Sequence, residues 1–372
     1  MGRIDVNPRT SLDNAPKPLA DPAAGLAPES LPLRHDAEAP AEGPLVDTYG
    51  RIHRDLRISL TDKCSLRCKY CMPAEGVEWM AQASVLTTDE LVRIAELAVK
   101  LGITTIRLTG GEPLLYADVV EVIRRTSRLK GPDGLPKVAM TTNGIKLPRM
   151  LPELAGSGLA RLNISIDTLR RDRFFELTRR DRLDQVLAGI RAAGESNLKP
   201  LKLNAVAMRG VNDDELVDLV EFAIVNDAQM RFIEQMPLDA GHIWDRGQMV
   251  TREEILETLG ERFELEPIPG RGGAPAEAFM IDGGPHTVGV IASVTAPFCG
   301  NCDRLRLTAD GQLRNCLFSR TEYDLKPILR GGGTDGDIET MLRDCIWHKL
   351  PGHGINDPGF LQPDRGMNAI GG

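Results

Sequence analysis

The sequence predicts an α/β fold built on a parallel sheet, followed by a smaller region of different texture. Three observations carry that prediction. From about Asp55, short β-prone runs alternate with helical patterns, the signature of βαβ units. The 372 residues are 42% apolar and 26% charged, enough to bury a core, and their number suits about two domains. After about Pro267 the alternation stops, and a Gly/Pro-rich connector over 269–275 leads into further short strands.

Residues 1–47 come first. They are rich in Pro and Ala and lack apolar periodicity, so a disordered extension is expected, because such a segment buries too little surface to offset its ordering entropy. A domain over 48–266 follows, with strands expected at Leu56–Leu60, Thr104–Leu108, Lys137–Thr142, Arg161–Ile166, Lys202–Ala207 and Met230–Glu234. The clearest helix runs from Thr87 to Gly102. Thr87-x-x-Glu90 forms a capping box, Leu91, Ile94, Ala95, Ala98 and Leu101 repeat at helical spacing, and Gly102 sits where a C-cap belongs. Ala117–Leu129, Asp181–Ala193, Asp213–Val225 and Thr251–Leu259 repeat the pattern. Periodicity does not decide between an open sheet and a barrel. In a region over 267–372, a strand is expected at Thr287–Ser293. A hairpin is expected from Leu305–Thr308 and Gln312–Cys316, turning at Asp310-Gly311.

Charge and hydropathy narrow the function classes. The formal net charge is −8 and the pI about 5.4, which argues against broad nucleic-acid binding. An anionic ligand would need a local basic pocket. No uncharged apolar run approaches the roughly 18 residues of a membrane span. Met1–Leu19 lacks the apolar centre of a secretory signal, so no membrane partner and a cytoplasmic location are expected.

The cysteines point to metal. Seven thiols in a chain without a signal argue against a disulfide framework, and six of them fall in two tight triplets. Cys64, Cys68 and Cys71 form C-x3-C-x2-C on one short loop after the first strand. Three such thiolates can ligate three irons of a [4Fe–4S] cluster and leave the fourth open to a small chelating ligand. A zinc loop would want a fourth protein ligand, and the nearest histidine is His53. Cys299, Cys302 and Cys316 form C-x2-C-x13-C, where zinc competes better because His286 could fold back as a ligand. Cys345, beside Ile346 and Trp347, reads as core.

Tyr70 before the last cysteine, Gly110-Gly111-Glu112-Pro113 after the second strand and Asn163-Ile-Ser165-Ile-Asp167 after the fourth give the chain a marked likeness: it resembles the radical S-adenosylmethionine superfamily. The second triplet narrows this, together with Arg107-Leu-Thr-Gly-Gly-Glu-Pro113, Thr141-Thr-Asn-Gly144, Arg231-Phe-Ile-Glu234, Cys302-x-Arg-Leu-Arg306 and the ending Ile370-Gly-Gly372. From about Tyr49 to Gly372 the sequence is similar to the GTP 3′,8-cyclase family of molybdenum-cofactor biosynthesis. The resemblance implies an incomplete (β/α)6 TIM-like barrel with a C-terminal region closing its side. It implies two [4Fe–4S] clusters facing each other across the cavity, with S-adenosyl-L-methionine chelated by the first. It further implies that a 5′-deoxyadenosyl radical removes the ribose 3′ hydrogen of GTP, that C3′ then attacks C8, and that one-electron reduction gives 3′,8-cyclo-7,8-dihydro-GTP. The implied partners are GTP, an external one-electron donor and a separate cyclic pyranopterin monophosphate synthase; a homodimer is compatible with all of this.

Site residues follow from the same resemblance. Cys64, Cys68, Cys71, Cys299, Cys302 and Cys316 would hold the clusters. Tyr70, Gly111, Ser165, Asn204 and Met236 would contact S-adenosylmethionine. Arg57, Arg107, Thr141, Lys202 and Arg231 would contact GTP, joined by Arg304 and Arg306, which alternate on one strand face near the base. Gly371 and Gly372 would enter the pocket and, with Arg304 and Arg306, complete the catalytic set. Arg57, Arg107, Lys202 and Arg231 stand on or beside apolar strands, where an unpaired cation is costly and a triphosphate would offset it. Taken singly, each has a plainer reading: ion pairing or snorkelling for the cations, core packing for Met236, a frayed end for the glycines. The N-terminal extension departs from the family pattern. Two other functions stay open: another two-cluster maturase, which would carry more C-terminal cysteines, and a non-catalytic metal or electron-transfer protein.

Overall fold

The computed structural model describes residues 38–371, apart from 240 and 243. The strands are β1 (Asp55–Ser59), β2 (Thr105–Thr109), β3 (Lys137–Thr142), β4 (Leu159–Ser165), β5 (Leu201–Ala207), β6 (Ala228–Glu234), β7 (Leu265–Ile268), β8 (Glu277–Ile281), β9 (Thr287–Ile291), β10 (Arg304–Leu307), β11 (Gln312–Arg314) and β12 (Tyr323–Asp324). They form one sheet in the order β12-β11-β10-β1-β2-β3-β4-β5-β6-β9-β8-β7. β1 to β6 are parallel neighbours, and β10 and β9 extend the parallel run beyond β1 and β6. The two ends of the sheet do not pair with each other, so hydrogen bonding leaves the barrel open. This is the partial barrel that the sequence led us to expect.

Alternation sorts the side chains. In β5, Leu201, Leu203, Ala205 and Ala207 are buried against the helices, while Lys202, Asn204 and Val206 take the other face. β1 does the same with Leu56 and Ile58 outward and Arg57 inward. The helical layer follows the sequence signals. Thr87 caps the helix Thr88–Lys100 with both bonds of its box to Glu90, and Thr251 does so for Arg252–Gly260 with Glu254. Gly102 has φ +98°, as its C-cap position requires. Five α-helices among the described residues lie outside those the sequence patterns indicate: Leu147–Ala155, which contains Pro152, Arg171–Thr178, Lys326–Arg330, Asp335–Trp347 and Met367–Ile370. The same holds for β7, largely exposed and containing Pro267, β8, and the two-residue β12.

The expected extension through residue 47 reaches too far. Leu45 is fully buried and its N–H bonds the Leu101 carbonyl at 3.2 Å. Asp47 is buried and bonded by Arg51 and His53. Residues 1–37 lie outside the described residues. Cys345 is buried in the core, as expected.

One carboxylate locks the open side. Glu234 ends β6, is fully buried, and accepts from the backbone N–H groups of Arg252 (2.9 Å), Val294 (2.8 Å) and Thr295 (2.9 Å). It ties the sheet to the following helix and to the chain leaving β9. Glu234→Gln turns an amide NH2 toward these donors and should lower stability by about 1–3 kcal/mol. Thermal unfolding checks this, and an unchanged Tm would remove the bracing role.

Candidate active site

The inward faces of the strands build a cationic cavity. Arg57 is in register with Arg107 on one side and Arg306 on the other. Arg161 neighbours Ala139, and Arg231 neighbours Gly289, where a Cβ would come within 3.2 Å of the Arg231 side chain. Glycine there makes room for the guanidinium. Arg57, Arg107, Thr141, Asn163, Ser165, Asn204, Arg231, Arg304 and Arg306 all line a cavity with about 1320 Å³ of empty space, counted to its open mouth. Burial lowers the pKa of Arg57, Arg107 and Arg231, and neighbouring guanidinium groups add to the effect. The Nε atoms of Arg57, Arg107, Arg161 and Arg304 are buried without partners. Lys202 shares the inward face of β5 with Asn204 but does not itself line the cavity, and burial, followed by Arg231, Arg161 and Arg107, brings its pKa down to about 7.

Toward the carboxyl ends of the strands lies the first cysteine loop. Its thiols are buried, which raises Cys64, raises Cys68 well above the usual value and takes Cys71 to about 12. Leu66 N–H reaches Cys64 Sγ at 3.4 Å, and Cys71 N–H bonds the Cys68 carbonyl at 2.9 Å. Gly110 and Gly111 seat this loop. A Cβ on either would lie 2.4 Å from the Thr61 or Lys63 carbonyl oxygen, so here the close approach that glycine permits is to the cysteine loop itself. Gly111 is accordingly not on the cavity wall. Glu112 is buried beneath the loop, accepting from Leu114 N–H (3.0 Å), Thr142 Oγ1 (2.6 Å) and Asn143 N–H (2.7 Å). Tyr70, Ser165, Asn204 and Met236 do line the cavity, and Tyr70 is aimed by its hydroxyl bond to Asp167 (2.7 Å).

The second triplet lines the same cavity. Cys299 and Cys302 bound a short turn before β10, and Cys316 follows β11. Burial opposes the Cys302 thiolate, but Lys349, with Nζ 3.3 Å from the sulfur, and Arg304 overcome it and bring the thiol down to about 6. His286 does not approach; it sits before β9 near Asp227. His353 does line the cavity, but both its ring nitrogens are engaged, Nε2 with the Ser293 carbonyl (2.8 Å) and Nδ1 with Ile355 N–H (3.1 Å). Among the described residues no three His, Cys, Asp or Glu side chains are grouped to hold a single ion. A cubane spreads its three thiolates over three irons, and both donor sets suit that demand.

The chain's end returns to the barrel. Arg365 pairs with Asp310 (3.0 Å) and Glu322 (2.8 Å), and Arg306 Nη1 donates to the Gly371 carbonyl at 2.6 Å. Gly371 is buried, and a Cβ there would meet Thr109 Oγ1 at 2.6 Å. Gly372 lies outside the described residues. Sequence reasoning missed Arg161, Lys349 and the orienting role of Asp167. Arg161 shares the strand face of Asn163 and Ser165, so the period of two would have found it.

Residues 58–223 match the model of the radical S-adenosylmethionine superfamily, and residues 228–355 that of Molybdenum Cofactor Synthesis C. A Streptomyces coelicolor protein named GTP 3′,8-cyclase is 53% identical over 343 residues, which cover 91% of this chain and 100% of that one. The chain belongs to the GTP 3′,8-cyclase family. A Corynebacterium glutamicum protein of the same name is 50% identical and covers 98% of this chain and 100% of its own, so this family member is matched into the N-terminal extension as well. The crystal structure of Streptococcus suis SuiB bound to S-adenosylmethionine shares the fold, with a TM-score of 0.56 at 18% identity over 84% of this chain and 67% of that one. Membership in the cyclase family replaces the maturase and the non-catalytic reading. As a radical S-adenosylmethionine enzyme the chain uses an iron–sulfur cluster and S-adenosylmethionine.

Gly111→Ala must displace the backbone at Asp62 and Lys63. The variant should lose iron from the first triplet while the second triplet's iron stays, read by metal analysis against Cys64→Ala. Full iron content in Gly111→Ala would contradict this role.

Proposed function

We propose that this chain joins C3′ of GTP to C8 of the same molecule, giving 3′,8-cyclo-7,8-dihydro-GTP, the first step of molybdenum-cofactor synthesis. The observation that carries the site reading is the set of cations that face one cavity without an ion pair to any described carboxylate. That cavity has Tyr70, Ser165, Asn204 and Met236 on its wall together with Cys299, Cys302 and Cys316. When bound, the clusters and S-adenosylmethionine supply the 5′-deoxyadenosyl radical and an open iron for the guanine. The remaining work falls to the chain. Cys64, Cys68 and Cys71 would hold the first cluster, and Cys299, Cys302 and Cys316 the second. Arg57, Arg107, Arg161, Lys202 and Arg231 hold the triphosphate, with Thr141 beside them. Arg304 and Arg306 lie at the base, and Arg306 also holds the Gly371 carbonyl within the barrel. The apolar walls, among them Val206, Ile233, Phe298 and Phe318, keep water from the reacting carbon. An external one-electron donor completes the reaction, and cyclic pyranopterin monophosphate synthase takes the product.

Lys202 gives a direct test. Its folded pKa of about 7 lies below the ordinary 10.5, so between those values the unfolded chain binds more protons and the free protein gains stability as pH rises. A bound triphosphate favours the ammonium. At pH 8, GTP binding should therefore take up protons, and affinity should fall as pH rises above 7. Calorimetry in buffers of differing ionisation enthalpy measures the uptake. Lys202→Met should abolish it and weaken GTP about tenfold or more, the scale of a bond to a charged group. Equal affinity for GTP and guanosine would sink the triphosphate assignment.

A further inference from the structure

The loop after the helix Asp335–Trp347 turns one lysine into the protein. Lys349 is 4% exposed, and its ammonium donates to Cys302 Sγ at 3.3 Å and to the Arg304 carbonyl at 2.8 Å. Its partners are a sulfur and a carbonyl rather than a carboxylate. A buried ammonium is costly unless it meets negative charge, and a thiolate of an anionic cluster provides that. The loop is held from behind. Arg51, paired with Asp47 at 2.5 Å, donates to the Leu350 carbonyl at 2.7 Å and to the Cys299 carbonyl at 2.7 Å. One clamp thus fixes both the lysine loop and the cysteine turn. Among the described residues no cationic side chain donates to a sulfur of the first triplet: the donors at Cys64 Sγ are the neutral Leu66 N–H and Asn143 amide, and Arg67 bonds the Cys64 carbonyl (2.7 Å) instead.

We propose that Lys349 is a positioning residue for the second iron–sulfur cluster, donating to the Cys302 sulfur so as to raise that cluster's reduction potential and to fix the cysteine turn against the start of β10. Hydrogen bonds and positive charge at cluster sulfurs stabilise the more negative reduced state, which sets the direction. The inference rests on the reading of Cys299, Cys302 and Cys316 as ligands of a second cluster.

The test uses full-length, reconstituted protein carrying Cys64→Ala, Cys68→Ala and Cys71→Ala, so that only the second cluster reports. Its midpoint is followed by electron paramagnetic resonance during a redox titration, and its iron is counted. Adding Lys349→Met should move the midpoint to more negative potential, while Lys349→Arg, which keeps a charged donor, should stay near the parent. In the reciprocal protein, Cys299→Ala, Cys302→Ala and Cys316→Ala, Lys349→Met should leave the midpoint unmoved. Loss of iron from the Met variant alone supports the same role. A loaded Met variant at the parent's midpoint overturns it, as do Met and Arg variants that behave alike in potential or iron content. Iron absent already from the parent would remove the second-cluster reading instead.

Discussion

Guanidinium and ammonium groups face one another across this barrel where a closed barrel would be filled with branched apolar side chains. Arg57, Arg107, Arg161, Lys202, Arg231, Arg304 and Arg306 share the interior, and the carboxylates in electrostatic reach, Asp55 and Asp303, make no ion pair with them. Burial and mutual repulsion both act against this arrangement. The protein as a whole is acidic, with a formal charge of −8, so the interior is a local exception to its surface. A structure that tolerates such a set needs space, kept here by Ala139 and Gly289 and by the unclosed sheet, and it needs an outer layer stable enough to absorb the cost. The helices supply the second: Leu56, Ile58, Leu203 and their neighbours bury one strand face completely. On the proposed reading, the triphosphate supplies the missing negative charge.

The open side of the sheet is where the C-terminal region acts. β10 continues the parallel run from β1 and brings Arg304 and Arg306 into register with Asp55 and Arg57. β9 continues it from β6, and Glu234 fixes the chain that leaves it. The second cysteine set, the inward arginines of β10 and the returning tail therefore depend on the same few braces: Glu234, Arg365 and the Asp47–Arg51 pair. The electrostatics of the two cysteine sets differ for a local reason. The first has the carboxylates of Glu112 and Asp167 as well as Arg67 in electrostatic reach, and burial prevails to raise its thiols, while the second has Lys349 and Arg304 beside Cys302.

Much of this was legible in the sequence because it is local. The capping box at Thr87, the period-two strands and the cysteine spacings each lie within about twenty residues. Arg57, Arg107 and Arg231 could be placed by strand and family motif together, and the structure puts all three on the cavity wall. What escaped is long-range. Lys349 meets Cys302 across 47 positions, and no spacing in a loop foretells such a contact. The packing of Gly111 against the carbonyl backbone of the cysteine loop is likewise long-range, a pairing set by how β1 and β2 end together. Leu45 sits in a Pro/Ala-rich stretch, and burial of a single leucine leaves no periodic trace.

On the proposed reading, the cavity holds GTP with its ribose C3′ at the site of radical attack. Anaerobic incubation of the reconstituted, reduced protein with S-adenosylmethionine and GTP deuterated at C3′ tests it most directly. The 5′-deoxyadenosine formed should carry deuterium. Protein that is fully loaded with iron and cleaves S-adenosylmethionine, yet transfers no deuterium from C3′, would contradict it.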